Sequence, residues 1–244
     1  MKEWITGRNP VYETLRAGRR EVFRLWLAQG TKEQGHLRDI LGLARQKKIR
    51  KEFVPRQQLN DIYSNNQGVA LQVGGYRYSS LQEILSQASS QDAAPFILLL
   101  DLIQDPQNLG TLIRSAEAMG VHGVVLPTSR AAGVTPAVVT SSSGACEHMH
   151  ITQMNLSQAI EQLKEAGLWI YGLEYSPEAM QIDAVDFKGG VGLVVGSEGS
   201  GLRHLVRSKC DQLIKLPRLG KVDSLNAAVA GSISLYVIQS FRGK

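Results

Sequence analysis

No apolar run in this chain of 244 residues approaches the roughly 20 residues needed to cross a bilayer. The opening MKEWITGRNP is too polar for a secretory signal, so a soluble, cytoplasmic protein is expected. Cysteine is scarce. Cys146 and Cys210 form no CxxC or zinc spacing, which argues against a disulfide framework and fits a reducing compartment. Ser143-Gly144-Ala145 does not resemble a GxSxG elbow, and no acid and base stand at a suggestive spacing, so a serine hydrolase is unsupported. Cys146, His148 and His150 alternate and would share one face of a strand. No fourth ligand is recognisable, and no metal is expected.

Acidic residues are outnumbered in the first third. Residues 1–75 hold 14 Lys and Arg against 7 Asp and Glu, a net +7, whereas residues 76–244 hold 13 against 15, a net −2. The positive excess gathers in Arg16, Arg19, Arg20 and Arg24, and again in Arg45, Lys47, Lys48, Arg50 and Lys51. One such cluster is ordinarily a solvated helix face. Two beside a nearly neutral remainder point to a phosphate-binding module and a nucleic-acid partner.

What the chain does have is 43% hydrophobic residues, enough for a substantial core. A helix around Pro10–Ala17, a strand around Val22–Ala28, a helix around Leu37–Arg45 and an apolar end at Val69–Val73 make a small α/β unit, assigned to residues 1–76. Residues 77–94, rich in Ser, Gln and Ala, read as a linker with a short helix before a second domain, residues 95–244. There the buried run Phe96–Leu100 ends in Asp101, and Leu109, Leu112, Ile113, Ala116 and Met119 mark a helical stripe. Further short apolar runs at 123–126, 168–173, 191–195 and 213–216 alternate with helical patterns, implying a parallel sheet covered on both faces. Ligands bind beyond the carboxyl ends of such strands, so the loops of interest are 101–110, 196–201 and 217–226.

In the first of these loops Asn108 would serve as a helix N-cap, while Arg114, further into the helix, suits phosphate or ribose recognition. The loop Gly196–Gly201 has Glu198 where a dinucleotide fingerprint needs Gly, and Leu202 where a P-loop needs Lys. An acid among glycines serves no obvious helix or core. The third loop carries Asp223-Ser224-Leu225-Asn226 into a helix expected over about 226–239, with Leu225, Val229, Ile233 and Tyr236 on one stripe. Ser224 or Asn226 would cap that helix or contact a ligand. Capping accounts for one of these residues and leaves the rest of the loop unexplained.

Taken together, Asp105-Pro106-Gln107-Asn108-Leu109-Gly110 through Arg114, Gly196-Ser197-Glu198-Gly199-Ser200-Gly201-Leu202, and Ile214-Lys215-Leu216-Pro217 through Ser224-Leu225-Asn226-Ala227-Ala228 resemble the three signature motifs of the SpoU/TrmH family of RNA ribose 2'-O-methyltransferases, within the SPOUT class. Gly7-Arg8-Asn9-Pro10-Val11 and Gln67-Gly68-Val69 resemble the N-terminal domain of its subgroup acting on large-subunit ribosomal RNA, with Asn66 standing where His is expected. The resemblance implies a parallel α/β sheet flanked by helices with a C-terminal trefoil knot, a small N-terminal α/β RNA-binding domain, S-adenosylmethionine as cofactor, and a homodimer with sites at the subunit interface. It places Gly196, Leu216 and Leu225 on the cofactor, and Asn108, Arg114, Glu198, Ser224 and Asn226 in the catalytic surroundings. Arg114 would act as base or, since free Arg stays protonated, as an electrostatic stabiliser. The expected substrate is a guanosine of 23S ribosomal RNA. A tRNA ribose methyltransferase and a non-catalytic RNA-binding or ribosome-assembly protein are the alternatives.

Overall fold

The strand sequence FILLLD, buried at every position, sets the frame of the larger sheet in the computed structural model, which describes residues 2–90, 93–129, 131–221 and 225–242. In chain order the elements are β1 (Lys2–Thr6), α1 (Arg8–Ala17), β2 (Val22–Ala28), α2 (His36–Gln46), β3 (Lys51–Val54), α3 (Arg56–Ile62), β4 (Val69–Gly74), α4 (Leu81–Ser90), β5 (Phe96–Asp101), α5 (Pro106–Ala118), β6 (Gly123–Leu126), α6 (Pro136–Ser141), β7 (Ile151–Gln153), α7 (Leu156–Glu165), β8 (Leu168–Leu173), β9 (Met180–Gln181), β10 (Gly190–Gly196), α8 (His204–Lys209), β11 (Gln212–Lys215) and α9 (Ala227–Arg242).

They form two compact units. One comprises Met1–Arg77 with Val134–His148, the other Tyr78–Gly133 with Met149–Lys244. The segment holding α6, expected inside the second domain, therefore folds with the first. The expected linker is also structured: Leu81 and Ile84 of α4 are buried in the core of the second unit beside Leu156, Ile160 and Ile170. Ile84 lies where a Cβ on Gly123 would be, 2.4 Å from its Cγ2, so glycine at that strand start admits the helix.

The first unit carries a mixed four-stranded sheet, β1-β4-β2-β3, in which only β2 and β3 run parallel. Its structure pairs four members of the basic clusters with glutamates. Arg20 is buried between Glu3 and Glu147 (Nη1 to Glu3 Oε2 2.8 Å, Nε to Glu147 Oε2 3.1 Å), so it contacts no external phosphate. Arg16 pairs with Glu13, and Arg24 and Arg50 share Glu52. Asn66 is buried as well. Its Nδ2 donates to Asn60 Oδ1 and Tyr63 O, both at 2.8 Å, and its Oδ1 accepts from Gly68 N at 2.9 Å, so it shapes a loop from within.

The second unit is a seven-stranded sheet, β7-β6-β5-β10-β8-β11-β9, parallel at every pairing. Burial on both faces accounts for its unbroken apolar runs. On one face α9 packs against α5 and β10 through small residues: a Cβ at Gly231 would stand 2.5 Å from Leu112 Cδ2. The buried side of α9 is thus Ala227, Ala228, Gly231, Ser234, Leu235 and Ile238. The apolar stripe of Leu225, Val229, Ile233 and Tyr236 is instead 43%, 45%, 42% and 64% exposed. Among the described residues no helix is long and apolar enough to cross a membrane.

Candidate active site

Four of the parallel strands, β5, β10, β8 and β11, end side by side, and the segments leaving them build one site. Asp105 opens α5. Its carboxylate accepts from Gln107 N (3.1 Å) and Asn108 N (3.4 Å), with Pro106 in the first turn, where a missing N–H costs nothing. Asp105, not Asn108, is therefore the N-cap, and the Asn108 side chain is released for another task. Its Nδ2 donates to Glu198 Oε1 at 3.0 Å.

Asn226 comes to the same carboxylate from the start of α9. Its Nδ2 donates to Glu198 Oε1 and to Asn108 Oδ1 (3.1 Å), while its Oδ1 caps the helix by accepting from Ala228 N (3.0 Å) and Val229 N (3.1 Å). Ala227 N also points at Glu198 Oε1, at 3.3 Å. The carboxylate thus sits at a helix N-terminus, where free N–H groups and the helix dipole favour an anion. Asn108, Glu198 and Asn226, separated by up to 118 positions, form one hydrogen-bonded cluster whose geometry each member helps to fix.

Glu198 also lines a cavity of about 480 Å³. Gly196, Leu216 and Leu225 line it too, together with Glu174, Tyr175, Arg207 and Arg218, which the sequence reading missed. The signal for Glu174 and Tyr175 was present, since they follow directly on the apolar run 168–173 at a strand's carboxyl end. Arg207 donates from Nε to Glu174 Oε1 at 2.8 Å, and the Arg218 guanidinium stacks 3.6 Å from the centre of the Tyr175 ring.

The glycines of the 196–201 loop allow the chain to fold back on itself. Gly199 and Gly201 adopt φ of 81° and 63°, and Ser197 bridges to Gly201. A Cβ at Gly196 would lie 2.4 Å from the Gly201 carbonyl and 2.8 Å from Leu202 N, both backbone atoms that cannot rotate away. Asp101, fully buried at the end of β5, secures the far side of this loop by accepting from Arg203 N (2.8 Å) and Nε (2.7 Å). Gly196→Ala is accordingly expected to destabilise the protein by about 1–3 kcal/mol and to distort the cavity wall. A chemical denaturation midpoint equal to that of the parent would contradict this.

Arg114 lies on the exposed side of α5. Six residues beyond Asn108, it is displaced by ~9 Å along the helix and ~120° around it, so the two side chains leave α5 in different directions. Ser224 lies outside the described residues, as do Val222 and Asp223. The proposed strand alternation of Cys146 and His148 does not arise, because Ala145–Glu147 is a 3-10 turn, and His148 Nε2 is 2.7 Å from Glu13 Oε2. Burial pushes both thiols, Cys146 and Cys210, up to about 12, leaving neither a ready nucleophile. Among the described residues no group of three or more His, Cys, Asp or Glu is placed to hold a metal.

The SpoU rRNA Methylase family model matches residues 95–236, and the model for RNA 2'-O ribose methyltransferase substrate binding matches residues 4–79. YacO of Bacillus subtilis, whose name places it among TrmH family tRNA/rRNA methyltransferases, is 39% identical over 97% of this chain and 94% of its own length. A tRNA/rRNA methyltransferase of Mycolicibacterium vanbaalenii is 40% identical over 96% of this chain and 74% of its own. Among solved structures, the SpoU methyltransferase AviRb from Streptomyces viridochromogenes in complex with AdoMet shares the fold with a TM-score of 0.81 at 24% identity, over 99% of this chain and 90% of that one. The AdoMet-bound rRNA methyltransferase of Sinorhizobium meliloti does so with a TM-score of 0.79 at 23% identity, over 98% and 87%. The fold is that of the SPOUT methyltransferases, with an N-terminal substrate-binding domain. Within that class, the chain belongs to the SpoU/TrmH family of RNA methyltransferases.

Proposed function

We propose that this chain transfers a methyl group from S-adenosylmethionine to a ribose 2'-hydroxyl of RNA in the cytoplasm, with a guanosine of 23S ribosomal RNA as the favoured target. The observation that carries this reading is the cluster of Asn108, Glu198 and Asn226 beside the cavity at the carboxyl ends of the parallel strands. The cavity suits the cofactor in size, since small-molecule sites span about 300–1,000 Å³. It also suits it in kind: the backbone at Gly196 supplies polar groups, and Leu216 and Leu225 supply apolar walls. When bound, the cofactor supplies an electrophilic sulfonium methyl for in-line transfer. The C-terminal trefoil knot belongs to the same reading.

The residues divide the work. Glu198 anchors both amides, so Asn108 and Asn226 hold the reacting ribose against the cavity mouth, and the matched motif assigns Ser224 to the same task. Arg114 binds the adjacent phosphate and stabilises the alkoxide that develops on the ribose oxygen, a task suited to a permanently charged fork. It reaches the site from a second copy of the chain, because within one chain it leaves α5 away from Asn108. The exposed stripe of Val229, Ile233 and Tyr236 on α9 supports that homodimer, since contiguous exposed apolar surface marks association sites. Val229→Lys with Ile233→Lys should yield a folded monomer without methyl transfer. Light scattering that still reports a dimer would exclude this face.

The direct test incubates the protein with methyl-labelled S-adenosylmethionine and RNA transcribed in vitro, then maps the labelled ribose. Label confined to a ribose of tRNA would replace the ribosomal reading. Absence of both label and calorimetric cofactor binding would leave a non-catalytic RNA-binding protein.

A further inference from the structure

Part of the basic excess of the first unit is neutralised within the fold, and part is not. Arg16, Arg20, Arg24 and Arg50 each have a glutamate partner. Arg8 and Arg56 do not: among the described residues neither guanidinium meets a carboxylate. Both line a cavity of about 520 Å³ with Gln29, Gly30, Thr31, Gln67 and Gly68, and no acidic residue contributes to its wall. It lies where β1, β2 and β3 end and β4 begins.

The wall is built rather than incidental. Buried Asn66 clamps the loop, and Gln67 and Gly68 take positive φ of 55° and 78° under that clamp. The Arg8 N–H donates to Gln67 Oε1 at 2.8 Å, which turns the amide's NH₂ end outward as a donor. Arg8 Nε donates to Gln67 O at 3.4 Å, steadying the side chain and leaving the terminal nitrogens for a ligand. At Gly30, φ is 74° and nothing stands within 4 Å of a would-be Cβ, so the floor stays open. An acid-free recess with two arginines and the Gln67 amide at its edge has the chemistry of a phosphate site.

We infer that this recess binds a phosphodiester of single-stranded RNA, with the phosphate between Arg8 and Arg56 and the adjoining base against the carboxamides of Gln29 and Gln67. The inference rests on the reading of the substrate as RNA. A concave recess admits a splayed-out nucleotide and not the stacked bases of a helix, which is how proteins read unpaired RNA.

The test measures affinity of the full chain for large-subunit ribosomal RNA transcribed in vitro, from about 50 to 200 mM salt. Arg8→Ala with Arg56→Ala is expected to weaken binding by at least about tenfold and to lower the salt slope by about 1. Arg16→Ala with Arg50→Ala should leave both unchanged, and cofactor affinity should be unaltered in all variants. Arg8→Lys with Arg56→Lys, which keeps the charge and loses the fork, should retain the slope and bind less tightly than the parent. The inference fails if the Arg8/Arg56 alanine variant binds like the parent, or if a fully paired RNA duplex competes as well as a single strand. A parent chain that binds no RNA would overturn the RNA reading itself, and this inference with it.

Discussion

Arg114→Ala is expected to reduce methyl transfer by at least roughly 10³-fold, the upper range for loss of one preorganised charge stabiliser, while cofactor affinity stays at the level of the parent. The separation follows from position: Arg114 stands outside the cavity that Gly196, Leu216 and Leu225 line. A mixed dimer tests the geometry. If Arg114 serves the other subunit's site, combining Arg114→Ala with Gly196→Ala restores one working site per mixed dimer, and random assembly yields about a quarter of the parent activity. If Arg114 serves its own chain, every site in the mixture is damaged and none recovers. Single-turnover methylation of the mixed preparation distinguishes the two. Near-parent turnover by Arg114→Ala alone would remove Arg114 from the chemistry altogether.

The same geometry shows where sequence patterns were sufficient. Leu109, Leu112, Ile113 and Ala116 face the core as their spacing predicts, and the runs at 123–126 and 168–173 are strands with those bounds. Periodicity on α9 located an apolar stripe correctly but not its environment, because spacing defines a face without saying what covers it. The core side was hidden in Ala227, Ala228, Gly231 and Ser234, whose value lies in being small. Asn108 passed for a cap because Asp105 three residues earlier is an equally good one. Only the hydrogen bond to Glu198, 90 positions away, shows which of the two is spare. The first arginine cluster could not show which of its members is buried, for the same reason: Glu147 lies 127 positions from Arg20, and no local pattern connects them. The recess holding Arg8 and Arg56 was invisible from the converse side, as two isolated arginines 48 positions apart become a pair only when three strands end together.

The Arg20–Glu147 pair carries the largest expected effect on stability. Their side chains are 1% and 0% exposed. The guanidinium meets the carboxylate at two points, donating from Nε to Oε2 at 3.1 Å with Nη2 2.8 Å from Oε1 in an ion-pair contact. Burial alone would depress the Arg20 pKa, but Glu147 and Glu3 outweigh it and raise the value, so Arg20 folds charged. Glu147→Ala therefore leaves a buried cation with Glu3, the Gly74 carbonyl and the Tyr76 ring in place of its bidentate partner. The expected cost is about 3–5 kcal/mol. Replacing both partners by apolar residues, Arg20→Met with Glu147→Leu, should cost far less, because desolvation of the pair offsets most of its attraction. Because Glu147 belongs to the Val134–His148 segment that folds with the first unit, the loss should be read there. Trp4 and Trp26, with ring centres 4.4 Å apart in that unit, provide a near-ultraviolet circular dichroism signal, while Trp169 of the second unit is 58% exposed and contributes little. A denaturant midpoint in that signal unmoved by Glu147→Ala would mean that water or Glu3 satisfies Arg20 unaided. The segment would then be held to the first unit by its apolar contacts, chiefly those of Val138, Val139 and Cys146.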